Sequence, residues 1–213
     1  MYLPPLFRED RLDVQHALIR AHPLGLLVTA GPGGLVANPI PFLVDPDDGE
    51  LGTLRAHFAV ANPQRAELAA VRECLVVFQG VETYITPSWY ATKAETGKVV
   101  PTWNYAIVEA WGPPTLIDDP AWLRQQIGEL TDAQEASRPD RWAVEDAPDA
   151  YVAGQLKGIV GLTIPIARIA GKWKTSQNRP AADQAGVIAG LRRERGADDP
   201  MAALVEARGK AGA

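Results

Sequence analysis

Cysteine is nearly absent from this sequence. Cys74 stands alone among 213 residues, so no intramolecular disulfide forms and no cysteine-based zinc set exists. Histidine is scarce too: His16, His22 and His57 are the only three, and their spacing matches no paired metal-ligand pattern. No apolar run approaches the ~20 residues of a membrane-spanning helix. The longest are 24–31 and 158–171, the second broken by Pro165 and Arg168. The opening MYLPPLFRED lacks the basic segment and apolar stretch of an export signal. These absences predict a soluble, cytoplasmic protein.

Neither positive nor negative residues are in strong excess. Lys and Arg number 21 against 26 Asp and Glu, a net charge of -5. That argues against coating nucleic acid or an anionic membrane through bulk charge, although it does not exclude a local basic patch. There is no Walker-type phosphate loop and no G-x-G-x-x-G; Gly31-Pro32-Gly33-Gly34 is a turn too short to cradle a pyrophosphate. No G-x-S-x-G occurs, no nucleophile stands beside a base, and no residue stands out as a catalytic acid or base. What remains is a composition of 46% hydrophobic and 22% charged residues, enough for a real core and incompatible with wholesale disorder.

Residues 10–21 place Leu12, His16 and Ile19 at helical spacing, with His16 on the helix face, and Pro23 ends the helix. The apolar run 24–30, the Gly31–Gly34 turn, residues 35–44, the turn DPDDGE and residues 51–58 predict an antiparallel meander. Asn62-Pro63 starts a helix over 64–72. Residues 74–79 and 82–86 read as two strands. A strand over 99–111 would set Trp103, Tyr105, Ile107, Glu109 and Trp111 on one face and Thr102, Asn104, Ala106, Val108 and Ala110 on the other. Asp119-Pro120 starts a helix running to Ser137, residues 148–156 read as a short helix, and 159–169 as one buried strand. Beyond Pro180, Val187 and Leu191, then Met201, Leu204 and Val205, suit two short amphipathic helices. The expectation is a mainly β domain with helices at its periphery.

Two segments are denser in polar and aromatic groups than packing alone requires. One joins Tyr84-Ile85-Thr86-Pro87-Ser88-Trp89-Tyr90, through a charged loop, to Val100-Pro101-Thr102-Trp103-Asn104-Tyr105. The other is Lys172-Trp173-Lys174-Thr175-Ser176-Gln177-Asn178-Arg179. The second collects ammonium, hydroxyl, amide and guanidinium donors, which suit a phosphate-bearing ligand, and the aromatics of the first could wall a flat ring. Each also has a plainer reading, as the plug of a small barrel and as a solvated strand exit. His57, inside a predicted strand, reads either as a satisfied core group or as a ligand contact.

At these residues the sequence resembles the PaiB family of FMN-binding negative transcriptional regulators. The resemblance covers nearly the whole chain. It rests on MYLPPLF at the start, His22-Pro23 with Leu27-Val28-Thr29, and Ala56-His57 with Ala61-Asn62-Pro63-Gln64; then on PSWY (87–90), PTWNY (101–105) and SQNR (176–179). It implies a split β-barrel of the FMN-binding type, akin to pyridoxamine-phosphate oxidases and flavin reductases, over residues 1–180 with helical insertions. Residues 181–213 would form a C-terminal helical extension packed on the barrel or exchanged with it. It further implies a homodimer with flavin at the subunit interface. His57, Asn62 and Gln64 would lie near the flavin phosphate, where a helix start supplies free N–H groups. Thr102, Trp103 and Asn104 would face the ring or ribityl chain, with Ser88 and Trp89 also in the site, and Lys174, Ser176, Gln177, Asn178 and Arg179 would close it.

The chain departs from the family pattern at two positions. Glu109 follows Val108 where members often carry His, and the run Asn38-Pro39-Ile40-Pro41-Phe42 lacks a further His. Two cofactor readings therefore stand, FMN kept and FMN lost. Three functional readings stand beside them: a flavin-binding negative regulator of transcription, a flavin-dependent oxidoreductase acting on a small molecule, and a cofactor-free protein-interaction module. Direct DNA contact has little support, because Arg192, Arg193 and Arg195, the only basic cluster near the C-terminus, alternate with Glu194 and suit a solvated helix face.

Overall fold

The computed structural model describes residues 1–209; the last four residues of the predicted extension lie outside them. In chain order the regular elements are β1 (Arg8–Glu9), α1 (Leu12–Ala21), β2 (Leu24–Gly31), β3 (Gly34–Asp45), β4 (Thr53–Ala59), α2 (Gln64–Ala70) and β5 (Cys74–Ile85). Then come α3 (Ala91–Thr96), β6 (Thr102–Gly112), β7 (Thr115–Ile117), α4 (Pro120–Glu135), α5 (Asp149–Leu156), β8 (Ile159–Pro165), β9 (Arg168–Lys174), α6 (Ala181–Arg195) and α7 (Pro200–Gly209). The strands form one nine-stranded sheet in the order β1-β9-β6-β5-β2-β3-β4-β8-β7. Among the described residues no helix is long and apolar enough to cross a membrane.

The residues gather into two compact units, the larger holding Leu12–Phe78 and Glu109–Ile169, the smaller holding Met1–Arg11, Gln79–Val108 and the described residues from Ala170 onward. In the larger unit the expected meander forms. Every residue of β2 from Leu24 to Gly31 faces a residue of β3 from Pro41 back to Gly34, and β3 then turns its last four residues, Phe42–Asp45, to β4. Pro39 and Pro41 remove no ladder bond. The Phe42 N–H donates to Pro23 O on the β2 side, so positions 39 and 41, one step out of phase, direct their nitrogens away from β2. Beneath this sheet Phe42 and Phe78 meet edge to face, ring centroids 5.7 Å apart. Asp119 caps α4, its carboxylate accepting from Ala121 N at 3.0 Å.

Two expectations for the strands and one for a loop needed correction. Residues 74–86 make one strand rather than two. Its buried positions are Cys74, Val76 and Phe78, then Thr83 and Ile85, a change of phase that breaks the alternation and makes the sequence read as two pieces. Residues 159–169 make two strands rather than one. Pro165 lacks a donor, and Ile166 N and Ala167 N bond outside the ladder, to Gly52 O and Trp111 O. The charged loop after Tyr90 contains α3, closed by Gly97 in the left-handed region (φ 66°).

In the smaller unit α6 and α7 bury Val187, Leu191, Met201 and Val205 against Ile85 and Tyr90. Glu9 of β1 is 3% exposed, takes three donors from Arg11 and pairs with Arg208 of α7. These hydrogen bonds, Arg11 first, outweigh desolvation and hold its carboxyl at about 2 against an ordinary 4.5. A depressed folded value means the charged form stabilises the fold, fully above pH 4.5, with the stabilisation lost as pH falls toward about 2. Glu9→Gln should lower stability at neutral pH and flatten its decline across that acid window, read from urea midpoints at stepped pH.

Candidate functional site

The smaller unit assembles most of the polar residues singled out in the sequence. β6 alternates as expected, with Asn104, Ala106 and Val108 buried and Trp103 exposed. After β9 the chain turns through Ser176, the only described non-glycine residue at positive φ (64°). Asn104 Nδ2 donates to Ser176 Oγ at 2.9 Å in the interior. Lys174 Nζ donates to Thr102 Oγ1 and, at 2.6 Å, to Trp103 O. Gln177 braces the turn from within, accepting from Thr175 N at 2.7 Å and donating to Trp173 O at 2.6 Å. Asn178 is exposed. The Arg179 guanidinium lies 4.5 Å from the centroid of the Tyr90 ring.

Three cations therefore belong to one short segment. Burial first, then the charges of Lys172 and Arg179, push the Lys174 ammonium below its usual range. Lys172 lies over the rings of Tyr2 and Tyr105 and donates to Tyr2 O at 2.9 Å. Asn104 Oδ1 and Thr175 Oγ1 are among the buried polar atoms here with no hydrogen-bond partner among the described residues. Such atoms cost free energy unless water or a ligand meets them. Tyr84 and Trp103 stand edge to face, centroids 6.1 Å apart, both about half exposed. Tyr84, Lys172 and Thr175 complete the set. They were visible inside the two dense segments, but no spacing rule separates them from their neighbours.

The same unit uses Ser88 and Trp89 differently. Ser88 Oγ accepts from Lys93 Nζ at 3.2 Å. The Trp89 indole lies on α6, donating to Glu194 at 3.2 Å, and it fits because residue 190 is glycine: a Cβ there would come within 2.4 Å of the ring. PSWY is thus a docking point for the C-terminal helices.

In the larger unit Gln64 is 1% exposed. Its amide donates to Leu27 O at 3.1 Å and Thr29 Oγ1 at 3.3 Å, and accepts from Asn38 Nδ2 at 2.9 Å, clamping α2 to the β2–β3 ladder. Asn62 Oδ1 caps the helix by accepting from Gln64 N. Arg65 N and Ala66 N bond to Asn62 O and Pro63 O, so these amides are engaged where free N–H groups were expected. His57 shares a strand face with Arg55, which pairs with Glu129 of α4. Its cross-strand neighbour is Gly161, whose missing side chain leaves room for Trp122 of α4. His57 Nδ1 is buried without a partner among the described residues, and burial lowers the ring's pKa, favouring the neutral imidazole. Cys74 is no nucleophile: burial pushes its thiol to about 12.

The arrangement of the sheet has known counterparts. The flavocytochrome Anf3 of Azotobacter vinelandii superposes with a TM-score of 0.61 over 78% of this chain and 69% of that one, at 15% identity. The nine strands and their helices are the split β-barrel of the pyridoxamine-phosphate-oxidase-like type, as the sequence predicted. Residues 1–168 match the family described as "Putative FMN-binding domain", and the chain belongs to that family. It is 30% identical over 207 residues, 97% of each chain, to the protease synthase and sporulation protein PAI 2 of Bacillus subtilis, which bears out the PaiB resemblance. An uncharacterized protein of Emericella nidulans is 38% identical over 226 residues, 90% of each chain. A flavin is the cofactor class this family indicates.

Gly190→Ala should destabilise the protein. Overpacking typically costs about 1–3 kcal/mol, which outweighs the gain of roughly 1 kcal/mol from alanine's helix propensity. A lower urea midpoint with altered tryptophan fluorescence is the expected result.

Proposed function

We propose that this chain is an FMN-binding, homodimeric split-barrel protein that acts as a negative regulator of transcription. The observation that carries the cofactor is the segment 172–179, where Lys172, Lys174 and Arg179 accompany a buried hydroxyl with no partner among the described residues, Thr175 Oγ1. That donor set fits a phosphate dianion. Lys174, Arg179, Ser176 and Thr102 would hold the phosphate, and Trp103 with Tyr84 would wall the ring. Asn178 would reach the ligand from the exposed side. Bound there, FMN supplies a redox-active isoalloxazine. Asn62, Gln64, Gln177, Ser88 and Trp89 have polar atoms engaged inside the protein, so the proposal gives them supporting roles, and His57 the α4 face of β4.

Self-association is supported by the outer face of β2, β3 and β5 in the larger unit. Leu24, Leu26 and Val28 face Pro41, Pro39 and Ala37, and Leu26 and Val28 face Val77 and Leu75. No charge interrupts this face, although an open antiparallel sheet ordinarily turns polar residues to water. The regulatory role rests on the PaiB relationship. Direct operator contact gains nothing from the C-terminal arginines: Arg192, Arg193 and Arg195 pair with Glu206, Glu194 and Asp199.

The deciding measurement is absorbance of the purified protein after FMN addition and gel filtration. Retained flavin is expected, and a colourless protein overturns the cofactor. Arg179→Ala should weaken FMN by about 1.5–3 kcal/mol, roughly 10- to 150-fold in Kd. Affinity should fall as pH rises through the lowered Lys174 pKa, because the uncharged amine no longer pairs with phosphate, and Lys174→Ala should remove that pH dependence. Leu26→Lys, at a position 40% exposed, should give a folded monomer by light scattering. Oxidation of reduced nicotinamide by the flavin-loaded protein would favour the oxidoreductase instead.

A further inference from the structure

A cavity of about 530 Å³ in the larger unit is lined by none of the residues discussed so far as flavin contacts. It lies where the β4–β8 ladder ends, at Ala59 opposite Ile159, and is closed by the first turn of α4 and the last turns of α5. Val60, Leu123, Leu156 and Ile159 make its walls apolar. Its volume falls in the range of small-molecule sites. A second hollow, with Asn62, Ala66, Ala69 and Leu116 in its wall, shares Val60 and Arg65 with the first.

The polar groups of the cavity are three: Arg65, Asp118 and Lys157. Arg65 reaches the two carboxylate oxygens of Asp118 at only 3.5 and 3.4 Å, well beyond the ~2.7–2.9 Å of a strong charge-assisted bond. The Asp118 side chain is 69% exposed. Lys157 follows the C-terminus of α5 and forms no ion pair among the described residues. Two cations thus face one loosely held carboxylate beside an apolar hollow. One positive charge is left over, which suits one negative charge attached to hydrocarbon.

We infer that this cavity binds an amphipathic monocarboxylate of the medium-chain fatty-acid class, its carboxylate between Arg65 and Lys157 and its chain against Leu123, Leu156 and Ile159. The geometry assigns Asp118 the role of competitor for Arg65, displaced to water when the ligand's carboxylate arrives. The cavity shares no lining residue with the segment 172–179, and its occupancy should not depend on FMN bound there.

The test is calorimetric titration of the full chain with octanoate, with octanol and acetate as controls. Octanoate is expected to bind one to one and at least about tenfold more tightly than either control, since a carboxylate and a chain are both required; a tenfold ratio corresponds to about 1.4 kcal/mol. Lys157→Ala should weaken octanoate about tenfold and leave octanol unchanged. Asp118→Asn should tighten octanoate by freeing Arg65, an outcome a merely structural Asp118 would not produce. Ala153→Phe, at an exposed α5 position on the cavity wall, should abolish binding with an unchanged thermal midpoint. No octanoate heat at millimolar concentration overturns the inference. So does octanol binding as tightly as octanoate, or binding that survives Ala153→Phe.

Discussion

The hydrogen bond from Asn104 to Ser176 holds the cationic segment to the start of β6, and the proposed flavin site depends on it. Ser176 sits in the left-handed region, a conformation that disfavours residues other than glycine and persists only where surroundings enforce it. The buried bond to Asn104 supplies that enforcement. It also sets the positions of Lys174 and Arg179, which flank Ser176 in sequence and take up different partners: Thr102 Oγ1 and Trp103 O for one, the Tyr90 ring for the other. A single rotamer of a buried amide thus spreads three positive groups along a rigid strand end rather than leaving them on a free loop.

A second constraint acts on the same segment from the far end of the chain. Arg179 O accepts from Gln184, Asp183 accepts from Thr92 N and Oγ1, and Trp89 lies on Gly190. The C-terminal helices therefore fix the residues on either side of Tyr90, whose ring carries the Arg179 guanidinium. Their contribution to the site is mechanical, through position rather than contact with ligand.

Much of this was legible in the sequence because it is local. Asp119 and Asn62 announce their helices through chemistry acting two residues away, and the alternation of 102–111 reports its own buried face. The two dense polar segments stood out by composition alone. The rest depends on distant partners. β1 is two residues long and exists as a strand because Arg8 and Glu9 find Lys172 and Gly171. The phase change in β5 leaves no mark that distinguishes one bent strand from two. Nor can composition tell Gln64 from Asn104: both are buried amides, and only the neighbours decide that the first is fully engaged while the second keeps an oxygen without a partner. Nothing in PSWY marks Trp89 as the residue that packs on α6, because the glycine that receives it lies about a hundred residues further on.

The two prolines of β3 have a consequence for solubility. From Gly34 to Pro41 the strand pairs with β2 on one side, and β4 joins the other side only at Phe42. A stretch of strand open on one side is a template on which another chain can add a strand. At 39 and 41 the nitrogens that would greet such a chain carry no hydrogen. The rings also stand on the apolar outer face, so this surface can be covered by a partner's side chains while its edge refuses a partner's backbone. Stickiness and protection from fibril-like growth are built into the same two residues.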